Sequence, residues 1–211
     1  MKNLCIVGTG SQARYVIETV GISHNYTISG LVDLEDPERI GKDINGYKIK
    51  CLLDEVADYF SPSQCHIIVA YGDNKKKKEV VEYIENLGYS FASIINPSAY
   101  ISKYVDIGKG CILNPNVTIL PNVQIGNHVI IHSGSVIEHD NDIGNYVNVA
   151  PGVSTGGNVK VGEGTYLYTG AIVIPKINIG KWAVVGAGAV IREDINDHET
   201  VVGIPGRSIK H

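Results

Sequence analysis

No apolar run in this chain of 211 residues approaches the roughly 20 residues that a helix needs to cross a bilayer. The N-terminus also lacks the charged and apolar regions of a secretory signal. Neither sign of charge dominates: 18 basic residues stand against 22 acidic ones, so the chain advertises no nucleic-acid partner. Cys5, Cys51, Cys65 and Cys111 show neither metal-ligand nor disulfide-framework spacing. They read as small residues, mostly of the core, in a reducing compartment. These absences leave a soluble cytoplasmic protein with room for one large domain or two small ones.

What is present is a rhythm of six. From Ile101 to Ile191 in steps of six, every residue is Ile, Leu or Val except Thr155. Four residues after each anchor stands a small or β-branched side chain, and Asn141 is the one departure. A period of six fits no α-helix and marks a parallel β-helix. Gly108, Gly126, Gly144, Gly162 and Gly180 follow their anchors at intervals of eighteen. Three hexads therefore make one coil of triangular section, with anchors and their fourth followers stacked inside.

The first ninety-six residues follow another rule. Short apolar segments at 4–7, 26–32 and 66–70 read as strands, with helices expected over about 11–20, 52–60 and 74–87 and a last strand near 91–94. That order predicts a small Rossmann-like parallel sheet, ending at Asn96-Pro97. We expect two domains, 1–96 and 97–211. Gly8-x-Gly10-x-x-Ala13, with Asp33 twenty residues beyond Ala13, has the form of a dinucleotide fingerprint. A single mononucleotide-binding half suits a nucleotide-linked sugar better than NAD, and a tight turn without ligand remains the alternative. Lys75 to Lys78 crowd a helix start, where the dipole disfavours cations; a substrate phosphate or plain solvation would account for them. Asn74 is the expected N-cap.

His139 is the informative histidine. It sits on a corner of the β-helix between Glu138 and Asp140, with Pro121 one coil below and Gly157 one coil above, leaving room beside the ring. Either carboxylate could hold Nδ1–H and leave Nε2 as a base. His128 and His132 fall at different hexad positions and read as surface or subunit-contact residues rather than as a zinc pair. Ser135 points inward and Ser133 lies nearby, but no nucleophile is evident.

Taken together, the glycine turn, Asp33, the stretch from Ala70 to Asn74, the hexads, the Glu138-His139-Asp140 triplet and the terminal Val202-Gly203-Ile204-Pro205-Gly206 resemble a known family. It is that of the bacterial N-acetyltransferases acting on nucleotide-linked 4-amino-4,6-dideoxy sugars, with sialic-acid O-acetyltransferases as relatives. The resemblance implies a left-handed β-helix, a homotrimer, acetyl-CoA as co-substrate and no metal. It implies His139 as catalytic base supported by Asp140, and Asn148, Thr169 and Ala187 as acetyl-CoA contacts. Gly10, Ser11, Gln12, Asp33, Leu34 and Asn74 would hold the nucleotide sugar. Gln12 and Asn148 stand where many or some members have histidine. O-acetylation of a sialic acid, a non-enzymatic nucleotide sensor and an NAD-dependent reductase are the competing functions.

Overall fold

The structure, a computed structural model, describes residues 2–209. The chain divides into two compact units, 1–97 and 98–211.

In the first unit, β1 (Lys2–Val7), β2 (Tyr26–Asp33), β3 (Asp43–Ile44), β4 (Tyr47–Leu52) and β5 (Cys65–Val69) form one sheet in the order β3-β4-β2-β1-β5. All its pairings are parallel except the β3–β4 hairpin. Leu4, Cys5, Ile6 and Val7 are all fully buried, the run expected of a central parallel strand covered on both faces. Helices α1 (Ser11–Ser23), α2 (Val56–Tyr59) and α3 (Asn74–Asn86) complete the unit. Cys5, Cys51 and Cys65 are free and buried. Burial pushes the Cys51 and Cys65 thiols up to about 11, so they are packing residues and not nucleophiles.

Three local expectations needed correction. The helix expected over 52–60 begins as a 3₁₀ turn, Leu53–Glu55, before the single turn of α2, and its first residue, Leu52, ends β4 instead. Asn45 and Gly46 turn the β3–β4 hairpin with φ of 49° and 89°, the two-residue turn that an Asn-Gly pair favours. At α3 the cap is Asp73, whose carboxylate accepts from Lys76 N–H at 2.8 Å; Asn74 is the first helical residue. That carboxylate also offsets the lysines at the helix start. The lysine run is not one solvated face, since Lys77 is buried.

The second unit is a parallel β-helix of two-residue strands. Its first face stacks Tyr100–Ile101, Thr118–Ile119, Val136–Ile137, Ser154–Thr155, Ile172–Val173 and Val190–Ile191. The second stacks Asp106–Ile107, Gln124–Ile125, Asp142–Ile143, Lys160–Val161 and Asn178–Ile179. The third runs through Ile112–Leu113, Ile130–Ile131, Asn148–Val149, Tyr166–Leu167 and Val184–Val185 to Thr200–Val202, with Arg207–Ser208 antiparallel at its end. From Tyr100 to Ile191 the registered pairs between coils are eighteen residues apart, as in Ile119↔Ile137 and Thr155↔Val173, while the closing pair with Thr200–Val202 departs from that spacing. The anchors from Leu113 to Ile191 are buried. The glycine column has a steric cause. A Cβ on Gly126 would lie 2.7 Å from Asn145 N, and one on Gly162 would lie 2.6 Å from Lys181 N. The next coil leaves no space for a side chain.

Candidate active site

His139 projects from the corner between the first and second faces. Four successive coils turn this corner through a residue in the left-handed region: Asn122 (φ 62°), Asp140 (58°), Asn158 (60°) and Lys176 (67°). Asn and Asp tolerate that conformation better than most residues. Successive turns are tied by backbone bonds, Asp140 N–H to Pro121 O at 3.1 Å and Asn158 N–H to His139 O at 3.0 Å.

The imidazole is half exposed, and its Nδ1 lies 2.7 Å from Asp140 Oδ2. Asn122 Nδ2 donates to Asp140 Oδ1 at 3.0 Å. Hydrogen bonds from His139 and Asn122 hold the Asp140 carboxyl below its ordinary range, against a small opposing effect of desolvation. An ionised carboxylate can only accept. Nδ1 therefore carries the proton, and in the neutral ring Nε2 keeps its lone pair. Glu138 plays a different part: its carboxylate receives the His139 backbone N–H at 3.4 Å, not the ring. Of the two acids flanking His139, the geometry pairs Asp140 with the imidazole.

Gly157 does not leave a gap beside the ring; the ring lies against it. A Cβ there would stand 2.5 Å from His139 Cε1 and 2.6 Å from Nε2.

The corner between the third and first faces has glycine at the tip of the turn on four successive coils. Gly134, Gly152, Gly170 and Gly188 turn it, with φ between 63° and 71° and open space where a Cβ would be. Thr169 and Ala187 precede the last two of these glycines and are exposed. Gly188 N–H bonds Thr169 O at 2.9 Å, so these two candidates are brought together. Asn148 is not with them. It lies on the third face and is fully buried, so its side chain is withdrawn from that exposed corner.

Other expectations about histidine change as well. His128 and His132 are buried rather than on the surface. His128 stacks on Tyr146 with centroids 5.4 Å apart, and His132 Nδ1 lies 3.3 Å from Asn114 Nδ2. No cluster of metal-ligating side chains forms among the described residues. Ser135 points inward as expected and donates to Ala150 O at 2.9 Å.

In the first unit, the two glycines of the turn do different work. Gly8, at φ 114°, lets β1 and β5 close together, because a Cβ would meet Ala70 O at 2.6 Å. Gly10 has open space around it and no left-handed backbone. It precedes α1 without a side-chain cap, and the first turn of the helix carries no acid. The N–H groups of a helix's first turn and the dipole there favour an anion.

Asp33 is buried and well partnered. Oδ2 takes the Thr9 hydroxyl and faces Arg39 Nη1 at 3.4 Å, while Oδ1 accepts from Glu35 N–H (3.2 Å) and Asp36 N–H (3.0 Å). Burial works to raise its pKa, but these donors and the Arg39 charge outweigh it and hold the carboxyl low. Arg39 Nη2 also donates to Thr9 O at 2.9 Å. Sequence reasoning missed Arg39, since no motif marks it in the polar loop after β2. Leu34 lines a cavity of about 420 Å³ with Glu35, Leu52, Leu53, Asp54 and Tyr83. Gln12 and Asn74 are buried, and Ser11 is exposed.

Two family models match separate parts of the chain: the PglD N-terminal domain over residues 3–84 and the bacterial transferase hexapeptide over 104–139. The chain thus pairs a segment matching the PglD N-terminal domain with one matching the bacterial transferase hexapeptide repeats. Its second unit is accordingly the left-handed β-helix of that class. Similar solved structures include a variant of perosamine N-acetyltransferase from Caulobacter crescentus, one histidine replaced by asparagine, in complex with CoA and GDP-perosamine. That structure shares 28% identity over 100% of this chain and 98% of that one, with a TM-score of 0.91. The acetyltransferase domain of PglB from Neisseria gonorrhoeae, in complex with acetyl coenzyme A, shares 28% identity over 99% of each chain, with a TM-score of 0.91. WeeI from Acinetobacter baumannii shares 25% identity over 99% of this chain and 100% of that one, with a TM-score of 0.89. A search of the curated proteins returns no match. No helix among the described residues is long and apolar enough to cross a membrane.

Proposed function

We propose that this transferase moves the acetyl group of acetyl-CoA to the 4-amino group of a nucleotide-linked 4-amino-4,6-dideoxy sugar in the cytoplasm. The observation that carries the proposal is the His139–Asp140 pair at 2.7 Å, with Nε2 left as a base on an exposed corner. The amine nitrogen attacks the thioester carbon, the C–S bond breaks, and CoA leaves. His139 Nε2 takes the proton released as the C–N bond forms and can return it to the departing sulfur. A backbone N–H directed at the oxyanion would contribute roughly 3 kcal/mol to the transition state. Asn148 is too withdrawn to be our choice for that donor. A thioester is already activated, so His139 and a donor suffice.

Acetyl-CoA would lie along the corner at Gly152, Gly170 and Gly188, where the turn carries no Cβ and Thr169 and Ala187 are exposed. For the nucleotide sugar, the N-terminus of α1 from Gly10 to Gln12 suits phosphate, and the Leu34 cavity suits the base. Asp33, with both oxygens occupied, holds the Thr9–Arg39 framework around that site rather than reaching far into it. The Caulobacter relative, crystallised with CoA and GDP-perosamine, favours N-acetylation over transfer to a sialic-acid hydroxyl. Release of CoA thiol should be assayed with UDP-, dTDP- and GDP-linked 4-amino sugars. Nucleotide binding without turnover on any of them would leave a sensor instead.

Gly10→Ala should raise KM for the nucleotide sugar several-fold and spare that for acetyl-CoA. The protein itself has room for the methyl group, so steady-state kinetics in both substrates would separate a lost contact from misfolding, which damages both constants.

The first face carries Tyr100, Ile172 and Ile174 exposed, with Val136 and Val190 half-buried. An apolar face of that extent calls for cover, and a homotrimer would supply it. Sedimentation should give three times the 22.8 kDa chain mass. A stable monomer at micromolar concentration would refute this.

A further inference from the structure

The two breaks in the hexad pattern are one feature. Asn141 Nδ2 donates to Thr155 Oγ1 at 2.6 Å, and both side chains are buried inside the coil. Thr155 Oγ1 also receives Glu138 N–H at 3.2 Å, and Asn141 Oδ1 receives Val159 N–H at 2.5 Å. On other coils the residue leaving the first face bonds the carbonyl of the next coil, as Leu120 N–H does to Ile137 O (3.0 Å) and Gly156 N–H to Val173 O (2.7 Å). At the coil of His139 the Glu138 N–H meets a side-chain hydroxyl instead.

This pair grips the catalytic corner from within. Glu138 and Asn141 are the two ends of the four-residue turn that carries His139 and Asp140. Val159 closes the turn above, which contains Gly157, the residue the imidazole lies against. Burying an amide and a hydroxyl costs desolvation that their mutual bonds only offset, whereas an aliphatic pair fills the equivalent positions on the other coils of this corner. Hydrogen bonds fix direction and distance in a way that dispersion contacts do not. We propose that Asn141 and Thr155 are positioning residues that set the orientation of the His139–Asp140 pair. The proposal rests on the reading of His139 as the base.

The test is the double variant Asn141→Val/Thr155→Val, which restores the hexad consensus and removes both buried polar side chains together; the Glu138 N–H can then take the carbonyl of residue 155, as Leu120 N–H takes Ile137 O, while the Val159 N–H loses its side-chain acceptor. Its Tm should equal or exceed that of wild type, and kcat should fall about tenfold while both KM values stay within about twofold. Imidazole ¹⁵N spectra should show the Nδ1–H preference of His139 weakened, a readout that needs no turnover. Thr155→Ser, which keeps the hydroxyl, should keep most of the wild-type kcat. His139→Ala runs alongside as the reference. If His139→Ala loses turnover while the double variant keeps wild-type kcat and tautomer, the positioning role is overturned and the base stands. If His139→Ala keeps wild-type turnover, the base assignment itself fails. A double variant whose Tm falls together with kcat, or whose loss lies in KM, would make the pair structural and overturn the proposal.

Discussion

His139→Ala is expected to lower kcat by about 10²-fold or more and to leave both substrates binding nearly as before. A base that accepts a proton only as the bond forms contributes to the transition state and not to ground-state binding. The half-exposed ring adds little to the core, so Tm and assembly should not change. Asp140→Asn should cost less than loss of the ring, because the carboxylate acts through the imidazole by holding Nδ1. Glu138→Gln should be nearly silent, since Glu138 reaches only the His139 backbone N–H, at 3.4 Å. Steady-state kinetics of the three variants check the order. Wild-type turnover in His139→Ala at saturating substrate would place the base elsewhere.

The β-helix was legible because its core repeats. A side chain stacked on its own equivalent eighteen residues away leaves the same mark at every coil, and Thr155 and Asn141 stood out against that regularity. Their hydrogen bond was not legible, since two departures fourteen residues apart do not announce contact. Choosing between Glu138 and Asp140 was also beyond the sequence. Both flank His139, and only the left-handed turn at Asp140 aims its carboxylate at Nδ1. In the first unit, the fingerprint located the turn but not the division of labour within it. Gly8 answers to Ala70 O, a contact between strands that no local pattern reveals. Arg39 was missed for the same reason: it reaches back thirty residues to Thr9. The β3–β4 hairpin, by contrast, was written locally in Asn45-Gly46 and could have been read. Burial of Asn148, His128 and His132 depends on tertiary cover, which hexad position does not specify.

Gly157→Ala should cost about 10²-fold in kcat with little change in stability, and Gly156→Ala should do the reverse. Neither glycine has a left-handed backbone, so what a methyl group would strike decides the outcome. At Gly157 it meets the imidazole of His139, with Cε1 at 2.5 Å and Nε2 at 2.6 Å. The ring ends a half-exposed side chain and can swing away at small energetic cost, but doing so breaks the 2.7 Å bond to Asp140. The tautomer and the aim of Nε2 are then lost together. At Gly156 the methyl group meets Pro175, with its N and Cδ both at 2.6 Å. That ring is part of the backbone of the next coil and cannot turn aside, so the strain falls on the stack, by about 1–3 kcal/mol. Thermal melts and kcat measured on both variants should separate cleanly. Full activity in Gly157→Ala would mean that the productive imidazole does not lie against Gly157.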